Sequence, residues 1–191
     1  LDDLVVAGGY FDTRVALFSG SSQGGFAFAE YLDGIYSPNY LCAADLDQDG
    51  TDDLVVSYGN ELQSQSGIRF YAGITNGGFA TPVELPWDRS EVPQHVLATH
   101  LNNDGAVDLV VSGVSEILTY ERGVAGQFAV TGTYPTGGQP RRLTAADFDG
   151  DGHSDIAVPC ATGNSVYVFY GDGTGNLTGT EIFTDQPWAL S

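Results

Sequence analysis

The sequence predicts an all-β protein, and three observations predict it. An acidic segment recurs as Asp45-Leu-Asp-Gln-Asp-Gly-Thr-Asp-Asp-Leu-Val-Val, His100-Leu-Asn-Asn-Asp-Gly-Ala-Val-Asp-Leu-Val-Val and Asp147-Phe-Asp-Gly-Asp-Gly-His-Ser-Asp-Ile-Ala-Val. Apolar residues fall in short clusters punctuated by 26 glycines and 8 prolines, as in a chain of many strands and turns. No stretch of ten or more residues carries a helical period, so helix content is expected near zero.

The repeat sets the organisation. Pro38, Pro93 and Pro140 each stand seven residues before an acidic turn, and Pro187 repeats that signal near the end. Leu1-Asp2-Asp3-Leu4-Val5-Val6 matches Thr51 to Val56, so the chain opens inside a further copy. An aromatic ahead of a glycine-rich turn and a large apolar residue after it recur in phase: Phe18 with Phe26, Tyr71 with Phe79, Tyr120 with Phe128, Tyr170 with Leu177. Proline-to-proline spacings of 55, 47 and 47 residues suit one four-stranded blade per repeat. The expected fold is a β-propeller built of four-stranded antiparallel blades. Four repeats are present, at about 1–37, 38–92, 93–139 and 140–186, with 187–191 starting the next. They form a small ring or part of a larger one.

The fourth repeat shows the elements most plainly. Strand one is expected over Arg142 to Ala146 and ends at the acidic turn. Strand two follows at Asp155 to Val158 and strand three at Ser165 to Tyr170, where Val166, Val168 and Tyr170 share a face by alternation. Strand four runs from Leu177 to Phe183 beyond a glycine-rich hairpin. Strands such as Leu54-Val55-Val56 and Leu109-Val110-Val111 are apolar at consecutive positions, as strands covered on both faces by neighbouring blades must be.

Composition narrows the function. Twenty-five acids oppose 6 bases, all arginine, for a formal charge of −19. Such a field repels nucleic acid and anionic lipid, so neither is an expected partner. Hydrophobic residues at 42% and aromatics at 12% argue against disorder. The sequence shows no signal peptide, no apolar run of 18 residues and no start methionine, and reads as a mature or trimmed piece of a soluble protein. Cys42 and Cys160 are too few for a disulfide framework and are expected as buried free thiols.

The acidic turn, Asp-x-Asp-x-Asp-Gly-x-x-Asp, brings carboxylates from alternate positions of a tight loop toward one point. Hard oxygen donors in a flexible loop suit Ca²⁺, which takes 6–8 of them at about 2.3–2.6 Å. Side-chain ligands are expected from Asp45, Asp47, Asp49 and Asp53, and from Asp147, Asp149, Asp151 and Asp155. The carbonyls of Thr51 and His153 complete each shell. An empty loop is expected to be partly disordered, because its carboxylates repel one another. An EF-hand fails on spacing, since its twelfth-position Glu would fall at Val56 or Val158. Zinc is disfavoured for want of Cys and His around the loop. In the middle copy His100 and Asn102 replace the first two aspartates, leaving Asn102, Asp104, the Ala106 carbonyl and Asp108 for a weaker third site or a plain turn.

These same residues, with Thr133-Tyr-Pro-Thr-Gly-Gly-Gln-Pro before them and Val166-Tyr-Val-Phe-Tyr-Gly-Asp-Gly-Thr-Gly after, resemble the FG-GAP/VCBS repeat family, whose repeats also occur in integrin α-subunit head domains. The resemblance extends over essentially the whole chain. It implies a propeller, most often seven-bladed, with Ca²⁺ in the loops joining first and second strands. The functions it implies range over adhesion, sugar binding and scaffolding beside catalytic domains, so fold does not give function.

The function expected is a calcium-stabilised extracellular binding or adhesion module that recognises a protein or glycan through its loops. Two alternatives stand beside it: a propeller domain of a secreted carbohydrate-active enzyme, lyase or hydrolase, and a structural repeat of a large surface or filament protein. An enzyme is not expected. His95, His100 and His153 are the only histidines, and no nucleophile elbow or glycosidase carboxylate pair stands out. Gly171-Asp-Gly-Thr-Gly-Asn lies between strands and reads as a hairpin rather than a phosphate loop. For a glycan, Trp87, Trp188 and Tyr36 are the candidate stacking residues, weighed against simple packing between blades. Asn176-Leu-Thr178 is a glycosylation sequon in a eukaryotic source.

Overall fold

The computed structural model describes residues 3–8, 14–59, 65–75, 77–123 and 126–183. Among them are 15 strands and no helix. The first sheet holds β1 (Leu4–Ala7), β2 (Val15–Gly20) and β3 (Phe26–Leu32). The second holds β4 (Pro38–Ala44), β5 (Asp53–Gly59), β6 (Ser66–Tyr71) and β7 (Val83–Leu85). The third holds β8 (Val96–Thr99), β9 (Asp108–Ser112), β10 (Glu116–Arg122) and β11 (Phe128–Pro135). The fourth holds β12 (Thr144–Ala146), β13 (Asp155–Cys160), β14 (Ser165–Gly171) and β15 (Leu177–Phe183). Every pairing is antiparallel between strands consecutive in the chain, so each sheet is a meander. This is the all-β, propeller-type architecture that the repeat predicts.

The repeat fixes the register. Asp53, Asp108 and Asp155 each open the second strand of a blade, opposite Ala44, Thr99 and Ala146. One residue on, Leu54 faces Tyr71, Leu109 faces Tyr120 and Ile156 faces Phe169. The strand expected to begin at Arg142 begins instead at Thr144. Before it the chain meets β13 only through an isolated bridge from Pro140 to Cys160 and the Arg141 N–H donated to the Pro159 carbonyl. Proline has no N–H for the ladder, and the equivalent Pro38 sits at a bulge in β4.

Alternation explains the apolar runs. Leu54, Val56 and Tyr71 pack with Val15, Leu32 and Ile35, tying the second sheet to the first. Val55, Ile68 and Phe70 turn the other way, onto Val96, Leu109 and Tyr120 of the third. Val110 and Ile117 then meet Leu143, Ile156 and Phe169 of the fourth. Each second strand is thus a septum between two cores, and truncating one buried leucine there costs about 2–5 kcal/mol. Among the described residues no core cluster joins the fourth sheet to the first, and the sheets do not close into a ring. Both cysteines are free, Cys160 buried and Cys42 half-buried, and burial raises both thiol pKa values.

Candidate metal centres

The acidic turns join the first and second strands of the second, third and fourth sheets. In the turn after β4, oxygens of Asp45, Asp47 and Asp49 all lie within 4.8 Å of one another. Asp147, Asp149 and Asp151 repeat the arrangement after β12. Oxygens that close can share one ion held about 2.4 Å from each, so both sets fit a calcium-sized cation. Backbone N–H groups hold them in place. Asp49 and Gly50 donate to the two oxygens of Asp45 at 3.1 and 3.0 Å, and Thr51 donates to Asp49 at 2.8 Å. In the later turn Gly150, Asp151 and Gly152 converge on Asp147 at 2.7, 3.1 and 3.0 Å, and His153 donates to Asp151 at 2.8 Å. Gly50 and Gly152 turn the chain at φ +87° and +91°, which suits glycine.

The ninth-position aspartates, expected as ligands, are each held by backbone N–H groups. Asp53 is buried and accepts from Leu46 at 2.9 Å, Asp47 at 3.1 Å and, across the sheet, Gly73 at 2.8 Å. Asp155 likewise accepts from Phe148 at 2.7 Å and Gly171 at 2.9 Å. Each carboxylate clasps the acidic turn to the hairpin between third and fourth strands, and neither belongs to the three-carboxylate groups. The clasp needs a close approach: a Cβ on Gly73 or Gly171 would press into the Asp52 or Ser154 carbonyl. Burial, and after it the charge of Asp47, raises the Asp53 pKa against the opposing pull of its hydrogen bonds. Sequence reasoning missed this role, although the ninth position, like the fifth, is Asp in all three copies.

The middle turn keeps the clasp and loses the cluster. Asp108 accepts from Leu101 at 3.0 Å and Arg122 at 3.4 Å, with its pKa raised by burial. Asp104 donates its N–H to Asn102 at 3.0 Å and accepts from Ala106 at 2.8 Å, so the loop shape survives. His100 Nδ1 lies 2.7 Å from the Ala106 carbonyl, the oxygen expected to serve as a ligand. With that nitrogen protonated, the ring supplies a donor where the other turns would place a cation.

The turns of adjacent blades touch. Gln48 donates to the Gly105 carbonyl, Asn102 bridges to Thr174, and Gly175 donates to the Leu101 carbonyl at 3.1 Å. The acidic turns therefore line one rim of the stack of sheets. Strand direction puts Tyr36 and Trp87 at the opposite rim, near the far ends of β5 and β7. Trp87 is half-buried, packs against the core between the second and third sheets and donates to the Glu91 carbonyl at 2.9 Å. One flank borders a cleft of about 450 Å³ with Tyr58, Gln65, Arg69 and Glu84. There Arg69 pairs with Glu84 at 2.5 Å and Tyr58 donates to the same carboxylate at 3.1 Å. Trp188 lies outside the described residues.

An FG-GAP-like repeat model matches residues 100–158, from the middle turn through most of β13. Over that stretch the chain is similar to an FG-GAP-like repeat. The match takes in the middle and last of the three turns and leaves out the turn at Asp45. No curated protein matches. Among solved structures, a functionally unknown protein from Desulfotomaculum acetoxidans DSM 771 is similar at TM-score 0.68 and 15% identity, over 96% of this chain and 53% of that one. An Agrocybe aegerita lectin, described for recognition of non-reducing terminal N-acetylglucosamine, is similar at 0.61 and 20% identity, over 92% and 48%. A chain of the BBS1N complex with ARL6DN, from a crystal soaked with lead, is similar at 0.58 and 18%, over 92% and 54%. These likenesses show a propeller-like fold, and the chain spans about half the length of each.

Proposed function

We propose that this chain is a calcium-stabilised binding module that works outside the cell, recognising a protein or glycan through its loops, and that it is not an enzyme. The observation that carries the reading is the pair of three-carboxylate groups at equivalent places in two blades. Asp45, Asp47 and Asp49 hold one Ca²⁺, and Asp147, Asp149 and Asp151 a second. The charge of −19 fits millimolar extracellular calcium, which neutralises part of it. The histidines offer little to catalysis. His100 is engaged by a carbonyl, His153 sits in an acidic turn, and His95 is buried with its pKa lowered to about 4 by burial and the Arg142 charge.

A glycan is the ligand favoured by the Trp87 cleft, where Trp87 adjoins an arginine, a carboxylate and amide and hydroxyl groups. Sugars are bound by that mixture of stacking and directed hydrogen bonds. The likeness to a lectin agrees with it. Calorimetric titration of the chelator-stripped chain is expected to show two Ca²⁺ sites. At a hundred times the dissociation constant, each adds about 2.7 kcal/mol to stability. A glycan array probed with the calcium-loaded chain, with terminal N-acetylglucosamine included, is expected to give binding lost in Trp87→Ala. No calcium uptake would sink the metal reading, and a blank array the glycan reading.

A further inference from the structure

The first sheet carries an apolar face that its neighbours in the repeat never expose. Register makes Leu4 the equivalent of Leu54, Leu109 and Ile156, and Val6 the equivalent of Val56, Val111 and Val158. Those six are at most 1% exposed, whereas Leu4 and Val6 are 41% and 42% exposed. The row continues across the sheet. Leu4 faces Phe18, and Phe18 faces Phe28, whose ring stands edge-on to it at 5.8 Å. Tyr31 lies 4.7 Å beyond Phe28, and Phe28 and Tyr31 are 52% and 45% exposed. In the other three sheets this row is the one packed on the preceding blade.

We propose that a further blade of this repeat type packs on the Leu4–Val6–Phe28 face. It presents the kind of apolar row that Val55, Ile68 and Phe70 present to the third sheet. Continuity with three interfaces of the same register is the first support. The solved structures of similar fold, about twice as long as this chain, are the second. A second copy of the chain is disfavoured, because two molecules of charge −19 repel each other and a blade-sized contact must overcome that. This inference rests on the fold and not on the calcium or glycan reading.

Joining residues 93–152 directly ahead of Leu1 tests it. By register, residue 152 precedes the equivalent of Leu1, so the added piece supplies a sheet like β8–β11, an inner strand and an acidic turn in phase. Hydroxyl-radical footprinting is read at Phe28 and Tyr31, with Phe148 as the exposed and Tyr120 as the buried standard. In the 191-residue chain Phe28 and Tyr31 are expected to react like Phe148. In the lengthened chain labelling is expected to fall about tenfold and β1 amides to exchange correspondingly slower. Unchanged labelling in a folded lengthened chain overturns the proposal. So does protection already present in the 191-residue chain: concentration-dependent protection means a second copy, and concentration-independent protection means the chain's own sheets cover the face. Should the lengthened chain misfold, Phe28→Glu in the 191-residue chain still decides. An unchanged melting temperature supports a face awaiting its blade, and a large drop refutes it.

Discussion

His95 offers a prediction whose size follows from the structure. Its ring lies 3.8 Å from the Tyr40 ring of the second sheet, and its Nδ1 accepts from the Leu143 N–H at 3.4 Å in the fourth blade. One neutral imidazole therefore bridges three blades. Burial first, and then the Arg142 charge, lower its pKa to about 4. The unfolded chain takes up the proton near pH 6.5, the folded chain only near pH 4. Between those values the unfolded state binds more protons, so stability falls as pH drops from about 6.5 to 4 and levels off below. A gap of about 2.5 pH units at about 1.4 kcal/mol each gives about 3.5 kcal/mol once both states are protonated, and about 3 kcal/mol at pH 4, a large share of a domain's stability. Urea unfolding in saturating calcium, from pH 4 to 7.5, is run on the wild type and on His95→Asn, whose amide oxygen can still accept from Leu143. Asp53 and Asp108, with raised pKa values, act in the opposite sense but are common to both proteins and cancel in the difference. His95→Asn is expected to lose a constant amount at neutral pH, about 1 kcal/mol from the ring contact with Tyr40. It should then regain about 3 kcal/mol on the wild type toward pH 4. Parallel curves would refute the argument.

Three further outcomes are expected. Asp155→Ala leaves the Phe148 and Gly171 N–H groups without their acceptor and costs about 2–4 kcal/mol in calcium and in EDTA alike. Asp149→Ala, which loses only the Asp151 N–H, costs about 1 kcal/mol in EDTA and about 2–3 more in calcium. Urea melts with and without chelator separate the two. Replacing both His100 and Asn102 by Asp is expected to raise calcium stoichiometry from two to three in calorimetry, and three ions on the wild type would refute that reading. Gly171→Ala is expected to be poorly folded at 37 °C by circular dichroism, because its Cβ meets the Ser154 carbonyl.

Much of this was legible in the sequence. The blade register, the strand order and the paired cores follow from the 47-residue phase and from apolar pairs such as Leu54 and Val55, because a strand covered on both faces has no polar position to spare. The clustering of Asp45, Asp47 and Asp49 followed from alternation in a tight turn. The division of labour within that turn did not. That the ninth-position carboxylate clasps a second loop depends on the backbone 16 to 20 residues away at Gly171 and Gly73, and spacing within the turn carries no trace of it. Trp87 shows the same limit. Its packing is set by Glu91 and by the third sheet, neither adjacent to it in the motif that drew notice.

The middle turn separates two features that the full turns combine, the clasp and the carboxylate cluster. It lacks the first two carboxylates, yet Gly105 keeps φ +84° and Asp108 keeps its clasp, so blade geometry does not require the ion. Under the proposed calcium reading the ion acts on the acidic rim, where Asp45, Asp47 and Asp49 cluster, and not on the cores between sheets. Chelation is expected to leave the β-sheet circular dichroism signal unchanged while exposing 45–53 and 147–155 to limited proteolysis, with 100–108 unaffected. Mass spectrometry of the first cleavage products reads this directly. Early cuts at 100–108, or loss of sheet signal in EDTA, would mean that the ion supports the fold itself and that the His100 turn depends on its neighbours through Gln48 and Thr174.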